Sequence, residues 1–468
     1  MPDPDLSPLR VAIVGGGFSG ALVAIHLLRA ARPVHIDLID PRPAGRGLAY
    51  STLWDDHLLN VPAVRMSAFG SEPLNFLNWL HANGKPTAPP DYFAPRKLFG
   101  TYIQDLLQTA ARESAPRNSR FRQHYTEAVA LSHDGIQARI ALANGERITV
   151  DKVVIATGNP APRKLPNAPG GYFGSPWLPG ALAGIDPDRE VLLIGAGLTA
   201  VDAFLALESQ GHRGRIHFVS RRGKVPHAHT SYRPLHEPFA PPAKASAREL
   251  LHAIRARVRE AEQHGVDWRA VIDSLRNNTN DIWCSLGIVE QRRVLRHAKT
   301  WWDIHRHRMA PEIGARVSAA RFRGQLQVHA GRVQSLLEDE QNISAQILQR
   351  NGQPMTLHVA RVISCTGADE DYRRVPNPLI QSLLNTERIA PNYIGKGIQT
   401  DSHGAVIDAD GVTNDWLLTL GPPRLGGLLE TIAVPELRKQ AEALASYLSA
   451  IVYEPVEVPL ELYLAAGI

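Results

Sequence analysis

The sequence predicts an α/β fold with two βαβ nucleotide units and a helical insertion, and three observations predict it. Two glycine-rich turns, Gly15-Gly16-Gly17-Phe18-Ser19-Gly20 and Gly195-Ala196-Gly197-Leu198-Thr199-Ala200, each follow a short apolar run and open a stretch of helical periodicity. Two later segments, Val153 to Gly158 and Val362 to Gly367, each read as a buried strand ending in Thr-Gly. The block from about Lys244 to Arg316 carries apolar residues at helical spacing and fits neither nucleotide unit. The 468 residues leave room for two or three cores.

Each element follows from its residues. In the first unit the strand Val11–Val14 runs into Gly15, which permits the tight reversal. Gly17 lets backbone approach a pyrophosphate, and Gly20 packs helix on strand. The helix N-terminus presents free N–H groups and a positive dipole end to phosphates. A second strand, Val34–Ile39, ends in Asp40, placed to hydrogen-bond the ribose of an adenine dinucleotide and to repel a 2′-phosphate. This site predicts FAD or NAD. The second unit repeats the plan with Gly195, Gly197, Thr199 and, in the third glycine position, Ala200. Its second strand ends in Ser220-Arg221-Arg222-Gly223, so two guanidiniums stand where a 2′-phosphate would lie. Those arginines favour NADPH; if they are only a solvated turn, the donor is NADH.

Two dinucleotide sites in one chain imply that one holds a redox cofactor and the other delivers electrons to it. The segments ending in Thr157-Gly158 and Thr366-Gly367 resemble the crossing points of two-dinucleotide flavoproteins, where the chain passes between the two units. The predicted fold is two Rossmann-like dinucleotide-binding domains, the two-dinucleotide-binding flavoprotein fold. Residues 1–165 form the first part of an FAD-binding domain, and 166–360 an NAD(P)H-binding domain carrying the insertion at about 244–316. Residues 361–468 return to the FAD-binding domain.

Composition removes several function classes. The two cysteines, Cys284 and Cys365, make no closely spaced pair, so the redox dithiol of a disulfide reductase is missing. The 19 histidines include no set with zinc-ligand spacing, and no metal is expected. A formal charge of +5 without a dense basic tract argues against nucleic acid. The opening Met1-Pro2-Asp3-Pro4-Asp5 lacks a signal-peptide pattern, and no apolar run reaches the roughly 20 residues of a membrane span. A cytoplasmic location and no membrane partner are expected.

Several segments together resemble a known family. They are Gly45 to Ser51, His57 to Ala63, Met66-Ser67, Pro95 to Tyr102, Ser175-Pro176-Trp177, Gly197 to Asp202, Ser220 to Gly223, and Gly421 to Arg424 through Glu430 to Glu436. Over nearly its whole length the chain resembles the FAD/NAD(P)-binding flavoprotein monooxygenases. These include N-hydroxylating enzymes and a branch of FAD-dependent urate hydroxylases that form 5-hydroxyisourate. Length and the lack of an appended domain look more like the urate branch. A Baeyer–Villiger oxygenase should show a histidine four residues after the glycine of its F-x-G motif. After Gly174 this chain runs Ser175-Pro176-Trp177 and has no histidine at that place. The Gly-Asp that often ends the C-terminal flavin strand is replaced by Leu420-Gly421-Pro422, which leaves the ribityl contact unassigned.

The resemblance implies a monooxygenase in which NAD(P)H reduces FAD and the reduced flavin reacts with dioxygen, urate being the leading small-molecule substrate. Asn60, Arg65 and Arg96 are the candidates to position an anionic purine, with Gly421 and Thr431 as C-terminal flavin contacts. Against these stand structural roles: Arg96 can pair with a pyrophosphate, and Asn60 can cap the turn before Pro62. Two alternatives remain within redox chemistry, an amine N-hydroxylase and a reductase that passes electrons to a protein partner. A redox sensor without turnover is a third. The aromatic-basic block Trp301-Trp302-Asp303-Ile304-His305-Arg306-His307-Arg308 reads either as part of a substrate pocket or, more simply, as core Trp301 and Ile304 beneath a solvated arginine face.

Overall fold

A computed structural model describes residues 7–450 except 164, 166, 236–238, 241, 243–244 and 340–341. Met1 to Asp5, the linker residues Lys164 and Pro166, the insertion boundary Lys244 and the tail 451–468 therefore lie outside the described residues.

The first unit begins with β1 (Leu9–Val14), β2 (Val34–Ile39) and β3 (Arg120–His124). A three-stranded antiparallel meander of β4 (Ala128–His133), β5 (Ala138–Leu142) and β6 (Arg147–Val150) follows, and β7 (Lys152–Ile155) returns beside β1. The second unit holds β8 (Tyr172–Phe173), β9 (Val191–Ile194), β10 (Ile216–Ser220), β11 (Leu326–Glu338), β12 (Ile343–Gln349), β13 (Pro354–Val359) and β14 (Arg361–Ser364). Finally β15 (Ala405–Ile407) and β16 (Thr413–Thr419) rejoin the first sheet, whose order is β15-β16-β7-β1-β2-β3. The second sheet runs β13-β12-β11-β10-β9-β14-β8.

Both sheets are parallel where they carry a glycine turn. β1 pairs in parallel with β2 and β7, and β9 pairs in parallel with β10 and β14. Such strands are covered on both faces, which is why Val11, Ala12 and Ile13 are fully buried, as are Val191, Leu192 and Leu193. The helix Phe18–Arg29 buries ten of its twelve residues against the helices Arg96–Ser114 and Val434–Ala450. Because β14 pairs with β8 and β9, a boundary at 360/361 would cut the second sheet; the chain leaves that sheet after Ser364. The long β11 changes character along its length, parallel to β10 at Leu326–Ala330 and antiparallel to β12 from Gly331 onward.

The insertion is helical, with helices Ala247–Gln263, Trp268–Ser274, Thr279–Ser285, Ile288–Arg293 and Lys299–Arg306, then Pro311–Phe322 leading into β11. It docks on the C-terminal part through ion pairs and hydrogen bonds. Arg276 Nε meets Glu436 Oε1 at 3.0 Å, and Trp283 Nε1 donates to the Gly426 carbonyl at 2.8 Å. Among the described residues no helix is long and apolar enough to cross a membrane.

Candidate functional site

The two glycine turns share one geometry. Gly15 (φ +105°) and Gly195 (φ +130°) occupy backbone that L side chains rarely adopt, and each lies against the next parallel strand's end. A Cβ on Gly15 would stand 2.3 Å from the Ala156 carbonyl oxygen, and one on Gly195 would stand 2.5 Å from that of Cys365. Gly20 is needed for packing, since its Cβ would fall 1.9 Å from the Gly15 carbonyl oxygen. Gly17 and Gly197 differ. A Cβ on Gly17 meets only the Gly47 Cα at 3.4 Å, and one on Gly197 meets nothing within 4 Å. Both residues cap their helices without a side-chain hydrogen bond, so the first-turn N–H groups face open space. This is the cradle a pyrophosphate requires.

Asp40 sits beside the first cradle. Its carboxylate accepts from the Gly16 N–H at 2.8 Å and the Arg42 N–H at 2.9 Å. Each oxygen keeps a second acceptor position, and Asp40 lines a hollow of about 370 Å³ with Arg42, Arg46 and Gln104. These residues fit an adenine dinucleotide, with Gly16 to Ser19 for the pyrophosphate and Asp40 for the ribose. Thr157 and Gly158 (φ +71°) follow β7 directly against Gly15. Ala200, fully buried, packs in the second core, and Thr199 lines the space above the second turn.

That space is a cleft of about 1090 Å³ running from the second turn past Arg221, Lys224 and Arg332. Arg221 is exposed there. Arg222 behaves differently from expectation, because its two terminal nitrogens donate to the backbone carbonyls of Arg296 and His297 at 3.0 Å each. It ties the insertion to the donor unit. Arg332, on β11, has no glycine motif to mark it in the sequence, yet it lines the same cleft.

The three residues expected to position substrate do not line the cleft between the units. Arg96 is the clearest correction. Its guanidinium forks onto Asp202, Nη1 to Oδ2 at 2.6 Å and Nη2 to Oδ1 at 3.0 Å, while Nε donates to the Leu58 carbonyl at 3.0 Å. The two side chains are only 16% and 7% exposed. His57 adds a ring-nitrogen hydrogen bond to the Asp202 carbonyl at 2.9 Å. Arg96 and His57 belong to the first unit and Asp202 to the second unit's helix Leu198–Ser209, so the cluster clamps the units together. Asn60 offers its carbonyl to His229 at 3.0 Å. Arg65 is exposed in a one-turn helix near His229 and Tyr232. Gly421 (φ +76°) closes a turn over Ser19. The fully buried Thr431 hydroxyl donates to the Gly421 carbonyl and accepts from Gln440, which places Thr431 as a brace for that turn.

A second cavity, about 310 Å³, lies where both units, the insertion and the C-terminal segment meet. Its polar lining is Glu430, His307, Lys299, Lys396, Glu370 and Asn159; the sequence places Glu430 in a matching segment and His307 in the aromatic-basic block, and leaves Lys299, Lys396 and Glu370 unmarked. Lys396 pairs with Glu370, and Lys299 with Asp303 at the cavity's edge. Glu430, 5% exposed, accepts from Trp302 Nε1 at 2.6 Å and lies 3.6 Å from His307 Nε2. Among the described residues no lysine or arginine pairs with it. Burial pushes the His307 imidazole down to about 4, against the opposing pull of Asp303, so it is neutral at pH 7. Asn280 fixes the backbone here, accepting from the N–H groups of Leu429 (3.1 Å) and Glu430 (2.9 Å) and donating to the Glu430 carbonyl at 2.8 Å.

Comparison with known proteins bears on this geometry. Residues 12–160 match the family model for FAD-NAD(P)-binding. No curated protein matches the chain. Among solved structures, an ornithine N-hydroxylase from Kutzneria sp. 744 is 14% identical with a TM-score of 0.66, covering 95% of this chain and 100% of its own. An L-lysine 6-monooxygenase from Pseudomonas syringae is 13% identical with a TM-score of 0.65 and the same coverage. A bacillithiol disulfide reductase from Staphylococcus aureus is 14% identical with a TM-score of 0.55, covering 95% and 99%. The fold is the two-dinucleotide-binding flavoprotein fold. Fold alone spans hydroxylases and disulfide reductases, so the side chains must separate them.

Proposed function

We propose that this protein is an FAD-dependent, NAD(P)H-using monooxygenase that N-hydroxylates an amine. The observation that carries the reading is Glu430, a buried carboxylate in the central cavity whose only ion-pair neighbour among the described residues is a neutral histidine. Buried Arg306 lies close enough to feel Glu430, but it and Arg276 make their ion pairs with Glu436, so among the described residues no cation contacts the Glu430 carboxylate and its cavity-facing side is left for a substrate ammonium. Trp302 and Asn280 hold Glu430 in place, and neutral His307 leaves its charge to the ligand. Fold similarity to an ornithine and a lysine hydroxylase supports the same class. A disulfide reductase is disfavoured because Cys284 is exposed on the insertion while Cys365 is buried beneath the second turn.

The expected urate reading fares less well on the same residues. An anionic purine would meet Glu430, and Arg96, meant to receive it, is bound to Asp202.

FAD reduced by NAD(P)H supplies the two-electron activation of dioxygen when bound. The chain's own part is to orient the amine against Glu430 and exclude water with Trp177, Trp283 and Leu425. The balanced reaction is R–NH₂ + O₂ + NAD(P)H + H⁺ → R–NHOH + NAD(P)⁺ + H₂O. Oxygen uptake by FAD-loaded protein with NADPH, measured against amines and urate with hydroxylamine detected as product, tests it. Stimulation by amines, and its loss in Glu430→Gln, is expected. Stimulation by urate alone, or by an electron-carrier protein alone, overturns the reading.

A further inference from the structure

The insertion encloses a second chamber that the reaction does not by itself require. The helix Ala247–Gln263 is held at both ends. Ser246 and Glu249 form a reciprocal capping box, the Ala247 N–H donates to Glu290 at 2.8 Å, and Ala261 is buried at the far end. Between these anchors the apolar face of Leu250, Leu251, Ile254 and Val258 is only partly covered. It roofs a cavity of about 490 Å³ floored by Ile272, Leu275, Ile282 and Trp283. The hollow is apolar and partly open to solvent, so a ligand's hydrocarbon part seated in it would leave water. The volume lies within the range of small-ligand pockets.

The chamber adjoins the central cavity, Trp283, Lys299 and Leu429 lining both. We infer that the substrate is a monoamine with a bulky apolar body, its hydrocarbon or aryl part in the insertion chamber and its nitrogen at Glu430. This rests on the N-hydroxylation reading for the fate of the nitrogen, whereas the apolar body follows from the chamber alone. Arg255, Arg259 and Glu262 also line the chamber, but its floor of Ile272, Leu275, Ile282 and Trp283 offers no charged partner, so a second charged group on a diamine or an amino acid would meet apolar side chains there at the desolvation cost of an unpaired ion.

Binding separates the two claims. FAD-loaded protein is titrated with butylamine, hexylamine, octylamine, ornithine and octanoate, following quenching of the tryptophans that line the chamber. In parallel, oxygen uptake with NADPH is recorded for the same compounds. Affinity should rise about fourfold per methylene from butylamine to octylamine, with ornithine and octanoate far weaker than octylamine. Ile254→Trp, or the milder Val258→Phe, should weaken octylamine at least tenfold and leave butylamine unchanged. Affinity independent of chain length, or octanoate binding as tightly as octylamine, overturns the inference. A full chain-length dependence without amine-stimulated oxygen uptake keeps the chamber as the apolar-body site and overturns N-hydroxylation instead.

Discussion

Removing Arg96 should cost stability before it costs chemistry. Arg96→Ala leaves the Asp202 carboxylate, 7% exposed, without the two guanidinium contacts at 2.6 and 3.0 Å. Breaking one side of a buried ion pair costs about 3–5 kcal/mol, because the partner charge stays buried and unpaired. Arg96→Lys should recover only part of that loss, since an ammonium cannot reproduce the fork onto both oxygens. In the double variant Arg96→Ala/Asp202→Ala no charge is stranded, so its cost should fall short of the sum of the single ones by roughly 2 kcal/mol or more. Equilibrium unfolding in urea, followed by tryptophan fluorescence with and without FAD, reads these energies. A chain of two units can unfold in steps, and the step that separates the units is where the loss should appear. If each single variant costs under about 0.5 kcal/mol, the double is additive, and only substrate turnover falls, then Arg96 acts on substrate and the clamp argument fails.

Three other outcomes follow from the same geometry. Gly17→Val and Gly197→Val should fold, since little lies within 4 Å of either added Cβ. They should lose FAD and NAD(P)H binding respectively, whereas Gly20→Val should fail to fold; retained FAD in folded Gly17→Val, by absorbance, contradicts the cradle. Arg221→Ala should weaken NADPH by about 1–3 kcal/mol with NADH little changed, while Arg222→Ala should affect both donors alike by loosening the insertion; steady-state KM values for both donors decide. Burial, reinforced by Arg308, holds His229 down to about 4, and burial does the same for His307. Both depressed values favour the neutral ring in the fold, so stability should be full above pH 6.5 and fall by about 1–3 kcal/mol per group as pH drops from 6.5 toward 4. Urea midpoints at pH 7 and 5 in wild type and His229→Phe check the sign.

The nucleotide units were legible because their physics is local. A glycine with positive φ, a helix N-terminus and an acid at the next strand's tip all lie within about 25 residues, so Gly15 to Asp40 could be read as one device. The antiparallel continuation of β11 into β12 and β13 was not read, because a 13-residue strand that changes partners leaves no break in its own alternation. Arg96 was recognised as belonging to a matching segment, but its partner is 106 residues away and only the fold brings them together. The aromatic-basic block was half legible. Ile304 is core, yet Trp301 is 41% exposed and Trp302 turns its indole N–H to Glu430.

Glu430 shows why the substrate side resists sequence reading while the cofactor side does not. Phosphates are gripped by backbone N–H groups, and backbone geometry leaves a signature in glycines. An ammonium is gripped by a carboxylate whose effect depends on what is absent around it, and that absence is set by four separate segments. Lys396 is matched by Glu370, Lys299 by Asp303 and Arg306 by Glu436, and burial silences His307, so Glu430 is left to face the cavity. Lys299 and Asp303 stand one turn apart on one helix, but Lys396 and Glu370 are 26 residues apart and Trp302 meets Glu430 across 128, so only the fold assembles the set. Because Arg222 anchors the insertion to the donor unit and Arg276 anchors it to Glu436 of the C-terminal helix, the insertion sets both the donor's approach and the carboxylate's surroundings. Changes in substrate preference should therefore concentrate in residues 245–316, where the sequence offers no motif to conserve the fold's cofactor chemistry and no motif to reveal the substrate.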